Sequence, residues 1–292
     1  MPEEPPPEIA ELLGCGGKIE VADIGAAAIA ETPPYKKLID LGLARLNAFD
    51  ADVRQHDELR RIYGGDLALF TQILGDGSEQ MLHLASPASG MTSLLKPSSP
   101  GLAFFNGFTA FGEIHGSERV ATTRLDAVEH LPNLDYLKMD IQGAELQVLQ
   151  HGVERLRDCC MIQLEVSFVP LYENQPSFGE VDVWMRDQGY IPHCFTDVKR
   201  WSISPVRRRN SDRAPFNQLL EADIVYMKDF ARVESWDDEI LRRTALIAHY
   251  CYDSFDLVGH LIAKLQDRGS LPHGSLNRYL ELLNKSRQPQ AQ

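Results

Sequence analysis

Residues Leu134 to Glu145 read LDYLKMDIQGAE. A short, mostly apolar run ends on Asp140, Gly143 supplies a turn, and Glu145 opens the helically spaced stretch ELQVLQHGVERL. An apolar run that stops at an acid and a glycine, then changes to helical spacing, predicts a buried strand turning into a helix.

The same unit recurs on both sides of it. KIEVADIG (18–25) is a strand ending in Gly, and PPYKKLIDLGL (33–43) a short helix opened by prolines. ARLNAFDAD (44–52) is a second strand ending in acids, followed by the helix VRQHDELRRIY. DLALFTQILGDG (66–77) reads as a third strand closed by a Gly-Asp-Gly turn. After 134–145 come the buried strand CCMIQLEVSF, the helix PSFGEVDVWMRDQGY, the strand YIPHCFTDV and the closing strand LLEADIVYMK. Parallel strands need helical crossovers, so repeated βα units predict an α/β fold with a doubly wound, mostly parallel sheet. The last strand is expected to fold back antiparallel.

Four segments follow from this reading: a Pro/Glu leader over 1–17, the sheet domain over 18–230, a Ser/Gly/Pro/Phe-rich cap loop inserted at 85–117, and a helical extension over 231–292. A connection as long as the cap loop is usually a functional loop. The extension shows apolar residues at helical spacing with Ser or Asp placed to cap. Its helices are a candidate contact for a homo-oligomer or another partner.

Bulk composition narrows the function. A formal net charge of −13 over 292 residues excludes broad electrostatic attraction to nucleic acid or anionic membrane. No run approaches the ~20 apolar residues of a membrane span. The N-terminus MPEEPPPEIAELL lacks the features of a secretory signal, and five cysteines without a CxxC pair fit reduced thiols. The expectation is a cytoplasmic protein.

In an open parallel sheet, ligands bind beyond the carboxyl ends of the strands. Here those ends carry Asp23, Asp50, Asp52, Asp76, Asp140 and Glu165. Gly25 follows Asp23 and would let backbone approach a ligand closely. Asp50 can accept hydrogen bonds from ribose hydroxyls, whereas Asp52 is placed to cap the next helix. Gly75 and Asp76 suit either an adenine contact or a plain turn. Glu145 is either a site residue or a helix-dipole partner. Glu165 follows MIQL near the end of a central strand, where an unpartnered carboxylate would cost several kcal/mol, so it is read as a site residue.

At these residues the sequence resembles the FkbM methyltransferase family. The match runs through LDYLKMDIQGAELQVLQHG and QLEVSFVPLYENQPSFGEVDVWMRDQGY, with weaker matches at VADIGA, FDAD, ILGDG with GMTSLL, and VATTRLDAV. The resemblance implies a Rossmann-like domain that moves a methyl group from S-adenosylmethionine to a hydroxyl of a sugar, lipid or polyketide-like acceptor. It would give Asp23 and Gly25 the methionine end, Asp50 the ribose, Gly75 and Asp76 the adenine, and Asp140 and Glu165 the reacting centre. One departure is GAAAIAETPP, where family members often carry a second glycine.

Methyl transfer to a hydroxyl benefits from in-line positioning and a general base. Asp140 and Glu165 are the candidates, with His115 of the cap loop well behind. Converging acids equally suit a divalent metal that acidifies the acceptor. Glu145, Arg207 and Arg208 are candidate acceptor contacts, the arginines through a phosphate or carboxylate, although a solvated loop explains them too. The rival readings are a non-catalytic binding or scaffold protein and a nucleotide-dependent oxidoreductase. The absence of GxGxxG opposes the latter.

Overall fold

The computed structural model of the chain describes residues 8–26, 32–86 and 89–287. Seven strands form one sheet: β1 (Ile19–Ile24), β2 (Ala44–Phe49), β3 (Leu67–Phe70), β7 (Tyr136–Met139), β8 (Met161–Ser167), β9 (Tyr190–Arg200) and β10 (Leu219–Lys228). Their order is β3-β2-β1-β7-β8-β10-β9. The first five pair in parallel, and β10 runs antiparallel to both β8 and β9. The doubly wound sheet with an antiparallel final strand is therefore as expected.

Register fixes which side chains share a face. Asp23 lies opposite Lys138, Lys138 opposite Gln163, and Asp223 opposite Glu165. Side chains alternate across a strand, so Asp23 points away from its apolar neighbours Ala22 and Ile24. One face thus carries apolar residues toward the amino ends of the strands and a polar row toward their carboxyl ends. The other face is mostly apolar, burying Ile24, Leu137, Met139, Leu164 and Ile224, with Asn47 bonded to Glu20 at its amino end. It packs against α6 (Glu145–Gln150) and α7 (Phe178–Asp187), the latter opened by a capping box between Ser177 and Glu180.

Helices α1 (Glu8–Leu13), α2 (Lys36–Asp40) and α3 (His56–Tyr63) lie in the first part of the chain. The C-terminal helices are α8 (Asp238–Tyr252), α9 (Phe255–Asp267) and α10 (Ser275–Arg287). They cover the apolar part of the first face, where Leu241, Ala245, Leu261 and Tyr279 share one core with Val21, Tyr136, Met161 and Val225. Tyr252 reaches from α8 to the middle of the sheet, bonding the Tyr136 hydroxyl at 2.5 Å and Gln163 at 2.9 Å. Asp237 caps α8 through the Ile240 amide. Ser254, expected to cap α9, makes no such bond and instead meets His193 at 2.7 Å.

Two strand expectations are corrected. The run at 66–77 is two strands: β3 stops at Phe70, and β4 (Ile73–Leu74) leaves for a second sheet. That sheet, in the order β4-β6-β5, joins β4 to β5 (Glu79–Ala85) and β6 (Ile114–Thr123). ERVATT (118–123), which sequence alternation would place as a strand before LDYLKMD, belongs to this small sheet and not to the main one. Between β5 and β6 the expected cap loop holds two short helices, α4 (Ser99–Phe104) and α5 (Phe108–Phe111), packed around Phe105, Phe108 and Leu171.

Candidate active site

The β1 turn is held by close backbone contact. Gly25 has φ +86°, and a Cβ there would run into the Asp140 carbonyl oxygen. That contact brings the end of β1 against the end of β7, where the Asp140 amide donates to the Ile24 carbonyl at 3.0 Å. Gly25→Ala is expected to lower the melting temperature and ligand affinity together, because a left-handed non-glycine residue costs ~1–3 kcal/mol before any clash. Thermal denaturation and calorimetric titration of the same variant check this. Unchanged values for both would mean that the turn relaxes freely. Residues 27–31, part of the departing GAAAIAETPP, lie outside the described residues.

Two cavities meet at this turn, and Gly25 and Asp140 line both. The first, of about 390 Å³, is bordered by Phe49, Asp50, Gln72, Leu74, Thr92 and Gln142, among others. Phe49 and Phe70 stack at its edge with ring centroids 4.8 Å apart. One Asp50 oxygen accepts the Asp52 amide at 2.8 Å, while the other is buried with no hydrogen-bond partner among the described residues. Burial pushes the Asp50 carboxyl above its ordinary pKa. A buried acceptor left unpaired on a cavity wall is a place made for a donor on a ligand.

The second cavity, of about 700 Å³, opens over the polar row of the sheet and is lined by Asp23, Tyr35, Lys138, Asp140, Lys199 and Asp223, with others. Asp23 is buried, accepts the Tyr35 hydroxyl at 2.5 Å and pairs with Lys138 at 3.5 Å. Burial raises its pKa against the pull of Lys138 and Tyr35.

Between the cavities lies a network centred on Gln142, which adopts φ +61°. Its side-chain amide donates to Asp140 at 2.7 Å and to Glu165 at 3.2 Å, and its carbonyl accepts the Tyr172 hydroxyl at 3.1 Å. From β9, Lys199 donates to Glu165 at 3.0 Å and to Glu221 at 2.8 Å. Burial holds the Glu165 carboxyl well above its ordinary pKa, with the Asp140 and Glu221 charges adding to this and Lys199 opposing it. Burial works against the Lys199 ammonium, but Glu165 and Glu221 together outweigh it and raise its pKa. Asp140 stands on the cavity walls, whereas Glu165 sits behind it, joined to them through Gln142 and Lys199.

Several expected site residues are placed elsewhere. Because β3 stops early, Gly75 and Asp76 do not end a main-sheet strand and line neither cavity; Gln72, Ile73 and Leu74 stand there instead. The Asp76 carboxylate is taken up by its own turn, accepting from the Ser78 amide, the Ser78 hydroxyl and Gln80, and these bonds draw its pKa down to about 2. Glu145 is buried and braces the turn after β7, accepting the Ile141 amide at 3.0 Å and the Gly143 amide at 3.2 Å. Burial still lifts its pKa to about 7. It borders neither of the two cavities. His115 is exposed on β6, away from both cavities. Arg207 pairs with Asp212 and Arg208 bonds the Pro215 carbonyl; neither lines the two cavities. Asp52 caps the turn that follows it through the Arg54 amide.

Lys138, Lys199 and Tyr35 were not singled out in the sequence. Lys138 had a visible signal, since it is the one charged residue inside the strand YLKM and shares a face with Asp140 by the two-residue period. Among the described residues, no group of three or more His, Cys, Asp or Glu is placed to hold a metal ion. The ammonium of Lys199 already occupies the position between Glu165 and Glu221. No helix among the described residues is long and apolar enough to cross a membrane.

The sheet order defines a Rossmann-like domain. Residues 15–192 match the profile of the methyltransferase FkbM domain, more than half of the chain, and the chain belongs to that family. No curated protein matches it. Among solved structures, a methyltransferase FkbM from Methylobacillus flagellatus KT is similar at 10% identity and a TM-score of 0.37, covering 72% of this chain and 43% of its own. The chain thus spans less than half the length of that relative. The magnesium protoporphyrin IX methyltransferase of Synechocystis PCC 6803, with bound SAM, has 10% identity, a TM-score of 0.37 and 76% coverage of each chain. TrmK of M. capricolum, in complex with S-adenosyl-homocysteine, has 12% identity and a TM-score of 0.36, covering 95% of this chain and 91% of its own.

Proposed function

We propose that the chain is an S-adenosylmethionine-dependent O-methyltransferase acting on a hydroxyl of a small-molecule or glycan acceptor. The observation that carries this reading is Asp140, a carboxylate on the wall shared by two cavities. One cavity offers an unpaired buried acceptor for a nucleoside, and the other is polar and large enough for a sugar-sized acceptor. Asp50 would hold the ribose, and Gly25 and Asp23 would lie toward the methionine end. Bound there, the cofactor supplies an electrophilic methyl group. Asp140 takes the acceptor proton as that hydroxyl is aligned from the larger cavity. Gln142, Glu165 and Lys199 hold Asp140 in place, which makes Glu165 a positioning residue. Calorimetric titration with S-adenosylmethionine, followed by a labelled methyl-transfer screen against sugars and glycolipids, tests the reading. Absence of cofactor binding, or binding unaffected by the loss of Asp50, would overturn it.

The network also sets a pH response. Glu165 organises Gln142 and Lys199 when ionised, and its pKa lies above the ordinary carboxylate range. The acid limb of kcat/KM is therefore expected to rise with pH through that elevated value. Lys199→Met removes the charge that lowers it and moves the limb to higher pH. Glu221→Gln removes a charge that raises it and moves the limb to lower pH. Opposite displacements in a pH–rate profile are the signature; a limb that stays put in both variants assigns the group to another residue.

A further inference from the structure

The loop between β9 and β10 emerges at the carboxyl-end face, one residue beyond Lys199, and has a composition unlike the rest of the chain. Five arginines fall between Arg200 and Arg213 with a single acid, Asp212, in a protein of formal net charge −13. The same loop leaves large apolar side chains in water: Val206 is 60% exposed, Phe216 46% and Ile203 40%. These three converge with Phe168, Trp201 and Leu219 on a groove of about 590 Å³. The Arg208 guanidinium lies 5.9 Å from the centre of the Phe216 ring, which puts a cation on the groove's rim.

The tip of the loop is built to present charge. A bridge between Arg208 and Ser211 closes a two-residue turn in which Arg209 (φ +54°) and Asn210 (φ +55°) are both left-handed. Such turns favour Gly, Asn or Asp, and holding an arginine there costs roughly 1–2 kcal/mol. The side chains of Arg200 and Arg209 make no hydrogen bond or ion pair with the described residues, so the loop's own fold does not consume these charges.

We infer that this arginine-rimmed apolar groove docks the protein on the surface of a bilayer containing anionic lipid, with the active-site face turned toward the membrane. Charge complementarity selects the partner. The exposed apolar residues enter the boundary between headgroups and acyl chains while the arginines meet the anionic headgroups. The acidic remainder of the chain does not prevent this, because charges farther than the ~8 Å Debye length at physiological salt are screened. Continuity with the reaction site gives the contact a use: Phe168 follows Glu165 by three residues, Trp201 follows Lys199 by two, and Leu219 precedes Glu221 by two. An acceptor carried by a lipid would reach the larger cavity along this edge. Docking itself is independent of the methyl-transfer reading.

Co-sedimentation of the full chain with vesicles tests it. The expected result is pelleting with phosphatidylcholine–phosphatidylglycerol vesicles, none with phosphatidylcholine alone, and release in 1 M salt. Each arginine near the surface is worth roughly a fivefold change in partitioning, so Arg208→Glu combined with Arg209→Glu should weaken it roughly 25-fold or more. Phe216→Ser should weaken it severalfold, and all variants should keep the wild-type melting temperature and cofactor affinity. Failure to pellet with the anionic vesicles would overturn the inference, as would equal pelleting of wild type and the double arginine variant. A wild-type chain that pellets but does not bind S-adenosylmethionine would count against the catalytic reading alone.

Discussion

Asp140→Asn is expected to lower kcat by ~10²–10⁴-fold, the range typical for loss of a positioned general base. The substitution keeps the shape of the side chain, and Asn can still accept the Gln142 amide that Asp140 accepts at 2.7 Å. The backbone bond from residue 140 to the Ile24 carbonyl, which fastens β7 to the β1 turn, is untouched. What disappears is basicity at the wall shared by the two cavities. Cofactor affinity should therefore change only a few-fold, and the melting temperature should stay close to wild type. Single-turnover kinetics with titration of the cofactor separates the two effects. A loss of affinity in proportion to the loss of turnover would make Asp140 a cofactor ligand and move the base elsewhere. Glu165→Gln provides the internal comparison: acting from behind the wall, it should lower turnover less and displace the pH profile.

The doubly wound sheet was legible in the sequence because its strands are short apolar runs punctuated by acids and glycines, and this pattern is local. Asp23, Gly25, Asp50, Asp140 and Glu165 could be placed at strand ends on that basis, and the structure brings Gly25, Asp50 and Asp140 to the same junction. Two kinds of information were not local. The break in DLALFTQILGDG falls at Thr71 and Gln72, but β4 exists only because Ile73 and Leu74 pair with Thr122 and Thr123, some fifty residues on. Without that pairing, the run reads as one strand and carries Asp76 to the wrong place. Lys199 was hidden in another way. It sits in an exposed-looking stretch, TDVKRW, and its meaning comes from the antiparallel register that sets it opposite Glu221 and brings it to Glu165. Glu145 shows the limit of residue type as a guide. At the first turn of a helix it satisfies the dipole expectation, yet its carboxylate is spent on the two amides of the preceding turn.

Asp50→Asn separates a residue kept for a ligand from one kept for the fold. One Asp50 oxygen serves the turn by accepting the Asp52 amide, and Asn can preserve that bond. The other is buried without a hydrogen-bond partner among the described residues, and burial holds the carboxyl above its ordinary pKa. A carboxylate whose pKa is raised on folding makes the ionised form less favourable in the native state. It therefore works against stability above the unfolded carboxylate pKa, including at neutral pH. The unliganded variant should melt at or above the wild-type temperature. Hydrogen bonds to a charged acceptor are worth about 1.5–3 kcal/mol, so losing those to the ribose should weaken cofactor binding roughly 10- to 150-fold. Differential scanning of the free protein together with calorimetric titration reads both numbers from one preparation. Affinity falling while stability holds or rises is the pattern of a side chain held in an unfavourable state for its ligand. A lower melting temperature with unchanged affinity would instead assign Asp50 to the architecture of the β2 turn.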